Sequence, residues 1–446
     1  MSNKIYPIGI QNFEKIRKDG YFYIDKTAWV YQLAKTGSYY FLSRPRRFGK
    51  SLLISTLEAY FQGKKELFKG LAIEKLEKDW TEHPILHLDL NIERYDTPES
   101  LGNILEKNLS EWEKLYGADV SERTYSLRFA GIIKRACEQT GQRVVILVDE
   151  YDKPILDNLT DPELAKAMRN RLRNLYSVIK DLDASIRFVF LTGVSKFSKV
   201  SLFSGLNNLN DITLDAEYSA ICGYTDHDID TVFAPELAGL DREQIREWYN
   251  GYNWLGESVY NPFDVLLLFQ KRDFRPYWFE TGTPTFLLDW IKTHHVWLPE
   301  LATLRLSGDL LQAFDVDMML TESLMFQTGY LTIAKRDYQF GEYLYQLRYP
   351  NREVYQSFHN SVLYVLQPDA GQSSRTKHQL GQLLLKNDFA GMEALFHSLF
   401  SSIPYDWQRN NAIAQYEGYY ASVFYSYFAA LGLDIRLEDI TNKGRI

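Results

Sequence analysis

The chain has 446 residues, enough for two or three domains with substantial cores. Its 45% hydrophobic and 24% charged residues are those of an ordinary soluble protein, and a net charge of −8 argues against electrostatic nucleic-acid binding by the chain as a whole, though local basic patches remain open. Residues 1–7 lack the apolar stretch of a signal peptide, and no later run approaches a membrane span. Cys137 and Cys222 match no metal spacing, so no membrane partner is expected and a reducing, cytoplasmic location is.

Alternating strand and helix signals begin at residue 39. A strand is predicted over 39–43, and Leu52, Leu53, Thr56, Leu57, Tyr60 and Phe61 mark one face of a helix over 51–62. Residues 84–90 read as a second strand. Helices over 98–115 and 125–139 lead to a third strand at 143–149, and a helix over 162–181 leads to a fourth at 185–192, with a fifth at 211–214. This order predicts an α/β fold, a parallel sheet with helices on both faces and a ligand at the carboxyl ends of its strands.

Beyond about residue 215 the pattern changes to helices broken by Gly and Pro. Thr225 is placed to cap a helix over 226–233, followed by helices over 242–250 and 261–271, which together predict a small helical lid. The aromatic residues of 248–254 and 260–263 predict packing between domains. A mainly helical stretch continues to about residue 370, with hairpin strands near 329–334 and 343–349. The expected division is therefore 1–215, 216–370 and 371–446. None of the eight histidines has a metal spacing with a carboxylate partner, and no Gly-x-Ser-x-Gly elbow occurs.

Two segments carry the chemistry. Arg44-Pro45-Arg46-Arg47-Phe48-Gly49-Lys50-Ser51 lies between the first strand and its helix, where a phosphate-binding loop belongs. Backbone N–H groups at a helix start suit a phosphate chain, and the candidate contacts run from Arg46 and Arg47 through Phe48, Gly49, Lys50 and Ser51 to Leu52. Gly49 lets the backbone approach, Lys50 sets an ammonium beside the β and γ phosphates, and the Ser51 hydroxyl is a hard ligand for Mg²⁺. The second segment, Val144 to Glu150, ends an apolar run in two acids. Asp149 is expected to hold the same Mg²⁺, and Glu150 to orient or deprotonate the attacking water. The usual G-x-x-x-x-G-K-[ST] pattern has glycine where this chain has Arg44, so the loop is not standard at its start. Its cations at 44, 46 and 47 would meet phosphate, an acid or solvent. From the end of the fourth strand, the hydroxyl of Thr192 or Ser195 would either reach the reacting phosphate or water, or cap a turn. Lys196 and Lys199 are candidates for stabilising charge.

The chain resembles the bacterial and archaeal AAA-ATPase-like proteins that carry a C-terminal PD-(D/E)XK nuclease-superfamily domain. The likeness rests on residues 21–27, on 43–51 (where arginine at 44 is usual), and on Val148-Asp149-Glu150-Tyr151-Asp152-Lys153-Pro154. It extends to 191–196, 203–209 and Tyr260-Asn261-Pro262-Phe263. The resemblance implies a P-loop NTPase sheet, a helical lid, ATP rather than GTP, and hydrolysis that drives or times a domain movement. A slow nucleotide-gated switch or scaffold is the alternative. No arginine finger is identified, so a homo-oligomer in which a neighbour supplies one is expected. In the C-terminal part Glu417 corresponds to the nuclease's first acid, and residues 441–446 to the approach to its catalytic Asp. The chain stops before that Asp and the acid-x-Lys strand, so this nuclease-like module is expected to be incomplete. It should not cleave nucleic acid alone, although a role in nucleic-acid processing is a third reading.

Overall fold

The computed structural model describes residues 5–159, 161–196, 208–281, 287–288, 291, 298, 301, 304–312, 320–366, 369–401, 417–435, 440–441 and 444–445. Five parallel strands, β1 (Tyr39–Ser43), β2 (Ile85–Asp89), β3 (Val144–Asp149), β4 (Ile186–Gly193) and β5 (Asn210–Asp211), form one sheet in the order β2-β3-β4-β1-β5. Every residue of β1 and β3 is buried, and their sequences are continuous apolar runs rather than alternations. That is how strands covered on both faces read. At the edge, β2 alternates between half-buried and buried positions.

The fifth strand is earlier and shorter than expected. Past Asp211, Ile212 N–H still donates to Phe41 O at 3.0 Å, and only then does a side chain take over, the Thr213 hydroxyl accepting from the Ser43 N–H at 3.0 Å. Strand β4 lies between β1 and β3, pairing Ser43 with Gly193 and Val148 with Leu191. The carboxyl ends of all three strands therefore open at one level.

The helix Lys50–Phe61 leaves the loop after β1 and lies against β3 and β4, its Phe61 ring 4.9 Å from Phe188. Helices Pro98–Tyr116, Tyr125–Thr140 and Pro162–Asp181 pack on one another. The second of them starts with Thr124 accepting from Leu127 N–H at 3.2 Å, the third with Asp161 accepting from Leu164 N–H at 3.1 Å. Both are side-chain caps for N–H groups a helix start cannot satisfy itself.

Beyond the sheet come helices Asp226–Thr231, Arg242–Tyr249, Pro262–Lys271 and Tyr277–Glu280. Thr225 caps the first of these reciprocally with Asp228. Ile229, Phe233, Ile245, Tyr249, Val265, Leu268 and Phe269 form a second apolar cluster, and Phe22 and Ile24 from the start of the chain complete it. The N-terminal segment thus packs across the boundary expected at residue 215. The hairpin is present as β7 (Thr332–Gln339) and β8 (Glu342–Arg348), its first strand later and longer than expected. A third strand, β6 (Arg305–Ser307), adds to β8. Three residues are too few to show a period of two, which is why β6 gave no sequence signal.

Helices Arg352–Leu366, Ala370–Leu385, Phe389–Ser401 and Glu417–Ala430 follow, then an antiparallel pair of two-residue strands, β9 (Ile440–Thr441) and β10 (Gly444–Arg445). The Glu417 side chain, and Asn442, Lys443 and Ile446, lie outside the described residues. Among the described residues no helix is long and apolar enough to cross a membrane.

Phe48 joins the two parts of the molecule. It is 1% exposed, with Tyr252 and Trp254 at 4.7 and 5.4 Å between ring centroids, both edge-on. Phe48→Ala is expected to destabilise the fold by about 3–5 kcal/mol through the lost burial and the cavity left behind. The shift of the chemical-denaturation midpoint measures this. No shift would mean that the loop and the aromatic module do not pack as described.

Candidate functional site

At the end of β1 the chain turns through residues 44–49 and enters the helix Lys50–Phe61. Arg47 (φ 69°) and Gly49 (φ 95°) both have left-handed backbones, and Gly49 is the helix cap. The first bond of this helix runs from Leu53 N–H to Gly49 O at 2.9 Å. The N–H groups of Lys50, Ser51 and Leu52 therefore have no acceptor within their own helix, and they sit at its positive end. Lys50 is 4% exposed, and its ammonium donates to the carbonyls of Arg44 (3.0 Å) and Pro45 (3.2 Å). It also pairs with Glu150 at 3.1 Å.

Asp149 and Glu150 end β3, two strand positions away from the loop. Glu150 has φ 50°, a left-handed conformation that costs a non-glycine residue of order 1 kcal/mol or more, and its N–H donates to Asp149 Oδ1 at 3.0 Å. This turn sends the two carboxylates to different partners. The Ser51 hydroxyl donates to Asp149, which is 4% exposed, while Glu150 meets Lys50. Burial first, then the neighbouring Glu150, pushes the Asp149 carboxyl up to about 6; the Ser51 hydrogen bond and the Lys50 charge oppose this. Ser51 and Asp149 thus present two hard oxygens side by side. Among the described residues no group of three or more His, Cys, Asp or Glu side chains could hold a metal by itself. A Mg²⁺ ion, which usually takes one or two carboxylates and completes its shell with water and phosphate oxygens, fits that donor set.

The end of β4 is organised by Asp152, to which sequence reasoning gave no role. Asp152 is fully buried and accepts from the Ser195 hydroxyl (2.6 Å), Ser195 N–H (2.5 Å) and Val194 N–H (3.0 Å). Burial and the Glu150 charge raise its carboxyl above the usual range. Gly193 is required beside it, because a Cβ there would lie 2.2 Å from Asp152 Oδ1. The expectation for Thr192 needs correction: its hydroxyl donates to Leu42 O across the sheet at 2.8 Å, and the residue is fully buried. The Ser195 proton is likewise committed to Asp152. Both hydroxyls hold the strand ends together, as the turn-capping alternative would have them do, and neither is offered to a reacting phosphate. Lys196 pairs with Asp211, and Lys199 lies outside the described residues.

The three loop arginines part company. Arg44 is fully buried; its guanidinium donates to the carbonyls of Ser43 (2.9 Å), Thr213 (2.9 Å) and Tyr218 (3.1 Å) and lies 4.0 Å from the centre of the Trp254 ring. Burial lowers its pKa to about 10. It meets neither phosphate, acid nor solvent, which corrects all three expectations for it. Arg46 and Arg47 are exposed at the rim: the Arg46 carbonyl accepts from Trp278 Nε1 at 3.1 Å, and the Arg47 guanidinium lies 5.0 Å from the Phe263 ring. The aromatic run expected to pack between domains therefore packs on the phosphate loop itself. The signal for Asp152 was its place three residues after Asp149. Trp254 belongs to the aromatic run expected to pack between domains, though nothing local aimed it at this loop, and Trp278 had no signal, because the loop both touch is some 200 residues away in the chain.

Asp152→Ala would leave one hydroxyl and two N–H groups buried without their acceptor, and should cost roughly 3 kcal/mol or more in unfolding experiments. Asp152→Asn, whose amide oxygen still accepts, should cost clearly less. Equal losses would show that the charge rather than the acceptor set matters.

A family profile described as "Predicted AAA-ATPase" matches residues 7–203, the stretch that carries four of the sheet's five strands, the loop and both acids. A protein of Azotobacter chroococcum mcd 1, described as "Uncharacterized protein in vnfD 5'region", is 56% identical over 448 residues, covering 100% of this chain and 87% of that one. No solved structure matches. With a parallel sheet that brings Lys50, Ser51, Asp149 and Glu150 together inside the matched region, the chain belongs to the predicted AAA-ATPase family.

Proposed function

We propose that this chain binds ATP together with Mg²⁺ and hydrolyses it. The observation that carries the reading is the single constellation at the ends of β1 and β3: Lys50 Nζ 3.1 Å from Glu150 and 3.0 Å from the Arg44 carbonyl, with Ser51 hydrogen-bonded to Asp149. ATP rather than another nucleotide follows from the family. The phosphate chain lies along the N–H groups of Lys50, Ser51 and Leu52, with Arg46 and Arg47 at the rim as auxiliary contacts. An incoming phosphate competes with Glu150 for the Lys50 ammonium. Glu150, so displaced, is free to orient or deprotonate the attacking water. Mg²⁺, held by Ser51 and Asp149, supplies neutralisation of phosphate charge when bound.

The loop is walled by Phe263, Trp254 and Trp278, so a change at Lys50 or at the Arg46 carbonyl is felt directly by the helical module around residues 216–280. Nucleotide-driven movement of that module, and assembly with a neighbour that supplies an arginine, complete the proposal.

Lys50→Ala should weaken nucleotide binding by about 10- to 100-fold, the value of a charge-assisted contact. Glu150→Gln should keep binding, or tighten it by freeing Lys50, and lower hydrolysis about 10²- to 10⁴-fold. Titrations with ATP and GTP, with and without Mg²⁺, and phosphate-release rates decide. Unchanged binding by Lys50→Ala removes the site assignment. Tight binding with no release above the Glu150→Gln level replaces the ATPase with a slow nucleotide-gated switch.

A further inference from the structure

Two acids sit face to face inside the aromatic module, on helices outside the sheet. Asp264, on the helix Pro262–Lys271, and Glu353, at the start of the helix Arg352–Leu366, are both fully buried. Asp264 Oδ1 accepts from Trp278 N–H at 2.7 Å, and Glu353 Oε1 accepts from the N–H groups of Trp278 (2.9 Å) and Phe279 (3.1 Å). The remaining oxygens, Asp264 Oδ2 and Glu353 Oε2, have no partner other than the opposite carboxyl. Among the described residues no lysine or arginine pairs with either acid. Two carboxylates cannot be held together in this way without a proton between them. A proton on Glu353 donated to Asp264 satisfies every oxygen of the pair.

The pair fixes the first turn of the helix Tyr277–Glu280, and that turn carries Trp278. The Trp278 indole N–H donates to the Arg46 carbonyl in the phosphate loop at 3.1 Å. Gly329 closes the same contact: a Cβ there would lie 2.7 Å from Pro45 and 3.5 Å from the Trp278 ring. Pro45 and Arg44 in turn offer the carbonyls that hold Lys50.

We propose that Asp264 and Glu353 are positioning residues for the nucleotide site, a hydrogen-bonded acid and carboxylate that fix Trp278 and, through it, the phosphate loop. The proposal rests on the nucleotide reading above and deepens it, because it makes a module outside the sheet part of what sets the loop. Protonation chemistry agrees with the geometry. Burial pushes Asp264 above the usual carboxylate range, and burial together with Asp264 pushes Glu353 well above it. Raised folded values favour the protonated folded state, so the stability they contribute is present at acid pH and declines as pH rises through them. Other titratable groups facing the pair are the phenols of Tyr249, Tyr252 and Tyr277, with Tyr330 facing Glu353, all of them raised by burial.

The test uses the full chain and four variants: Glu353→Ala, Glu353→Gln, Trp278→Phe and, as a control for the nucleotide reading, Lys50→Ala. ATP affinity and hydrogen–deuterium exchange of residues 44–52 are measured, with strand β3 as internal reference for folding. Glu353→Ala is expected to weaken ATP binding about tenfold and to speed exchange in the loop but not in β3. Trp278→Phe, which removes the indole N–H donor and part of the ring while keeping an aromatic side chain, should do the same to a smaller degree. Glu353→Gln keeps a donor toward Asp264 that cannot be titrated away. It should restore binding to within about threefold and hold it as pH rises through the raised Glu353 value, where the parent loses the shared proton and weakens. Parent-like affinity and loop exchange in both Glu353→Ala and Trp278→Phe, while Lys50→Ala loses binding, would overturn the positioning role and leave the nucleotide site standing. If the parent binds no ATP, the nucleotide reading and the strut fall together.

Discussion

The phosphate loop of this protein depends on a buried cation. Arg44 stands where a standard loop has glycine, and its charge is taken up, with no carboxylate in contact among the described residues, by three main-chain carbonyls and the face of Trp254 at 4.0 Å. Burying an uncompensated guanidinium is costly, and the arrangement holds only while the carbonyls of Ser43, Thr213 and Tyr218 and the indole face are all in place. One side chain therefore ties the end of β1 to the segment after β5 and to the aromatic module. Phe48, four residues on, ties the same loop to Tyr252 and Trp254. Between these two anchors Arg46 and Arg47 are left at the surface. Gly49 makes the left-handed step that points Lys50 back under the loop.

From that geometry the electrostatics follow. The Lys50 ammonium lies among the Arg44 and Pro45 carbonyls and the Glu150 carboxylate, so its charge is balanced by groups that a phosphate can replace. The left-handed turn at Glu150 separates the two adjacent acids, one toward Lys50 and one toward Ser51. Asp152 holds the neighbouring strand end by its Ser195 and Val194 contacts, so that β3 and β4 open at a fixed distance from the loop. Asp149 and Asp152 are buried, and each sits beside Glu150. That is why Asp149 and Asp152 both hold their protons more tightly than ordinary carboxyls.

The helical module thus packs directly on the loop. It meets the loop through Trp254 on Arg44, Phe263 on Arg47 and Trp278 on the Arg46 carbonyl. It is itself held to the start of the chain, where Phe22 and Ile24 join its apolar cluster. The loop and the helical module are therefore joined by one backbone turn and three aromatic side chains.

The sequence by itself determined the sheet and which side chains gather at its ends. The runs Tyr39–Ser43 and Val144–Asp149 are apolar without alternation because both faces are covered, and that pattern is local. Lys50, Ser51, Asp149 and Glu150 were legible because their neighbours in sequence, a strand before and a helix after, fix where they point. Tertiary structure alone decided the rest. Arg44 reads as a loop cation and is a core residue, Thr192 reads as a reactive hydroxyl and is a link between strands, and the Trp278 indole reaches a carbonyl 232 residues away. The proton between Asp264 and Glu353 exists only because folding brings two acids from different helices into one buried place. Short-range patterns record which face of an element is covered, whereas the partner of a buried charge is set by the fold as a whole.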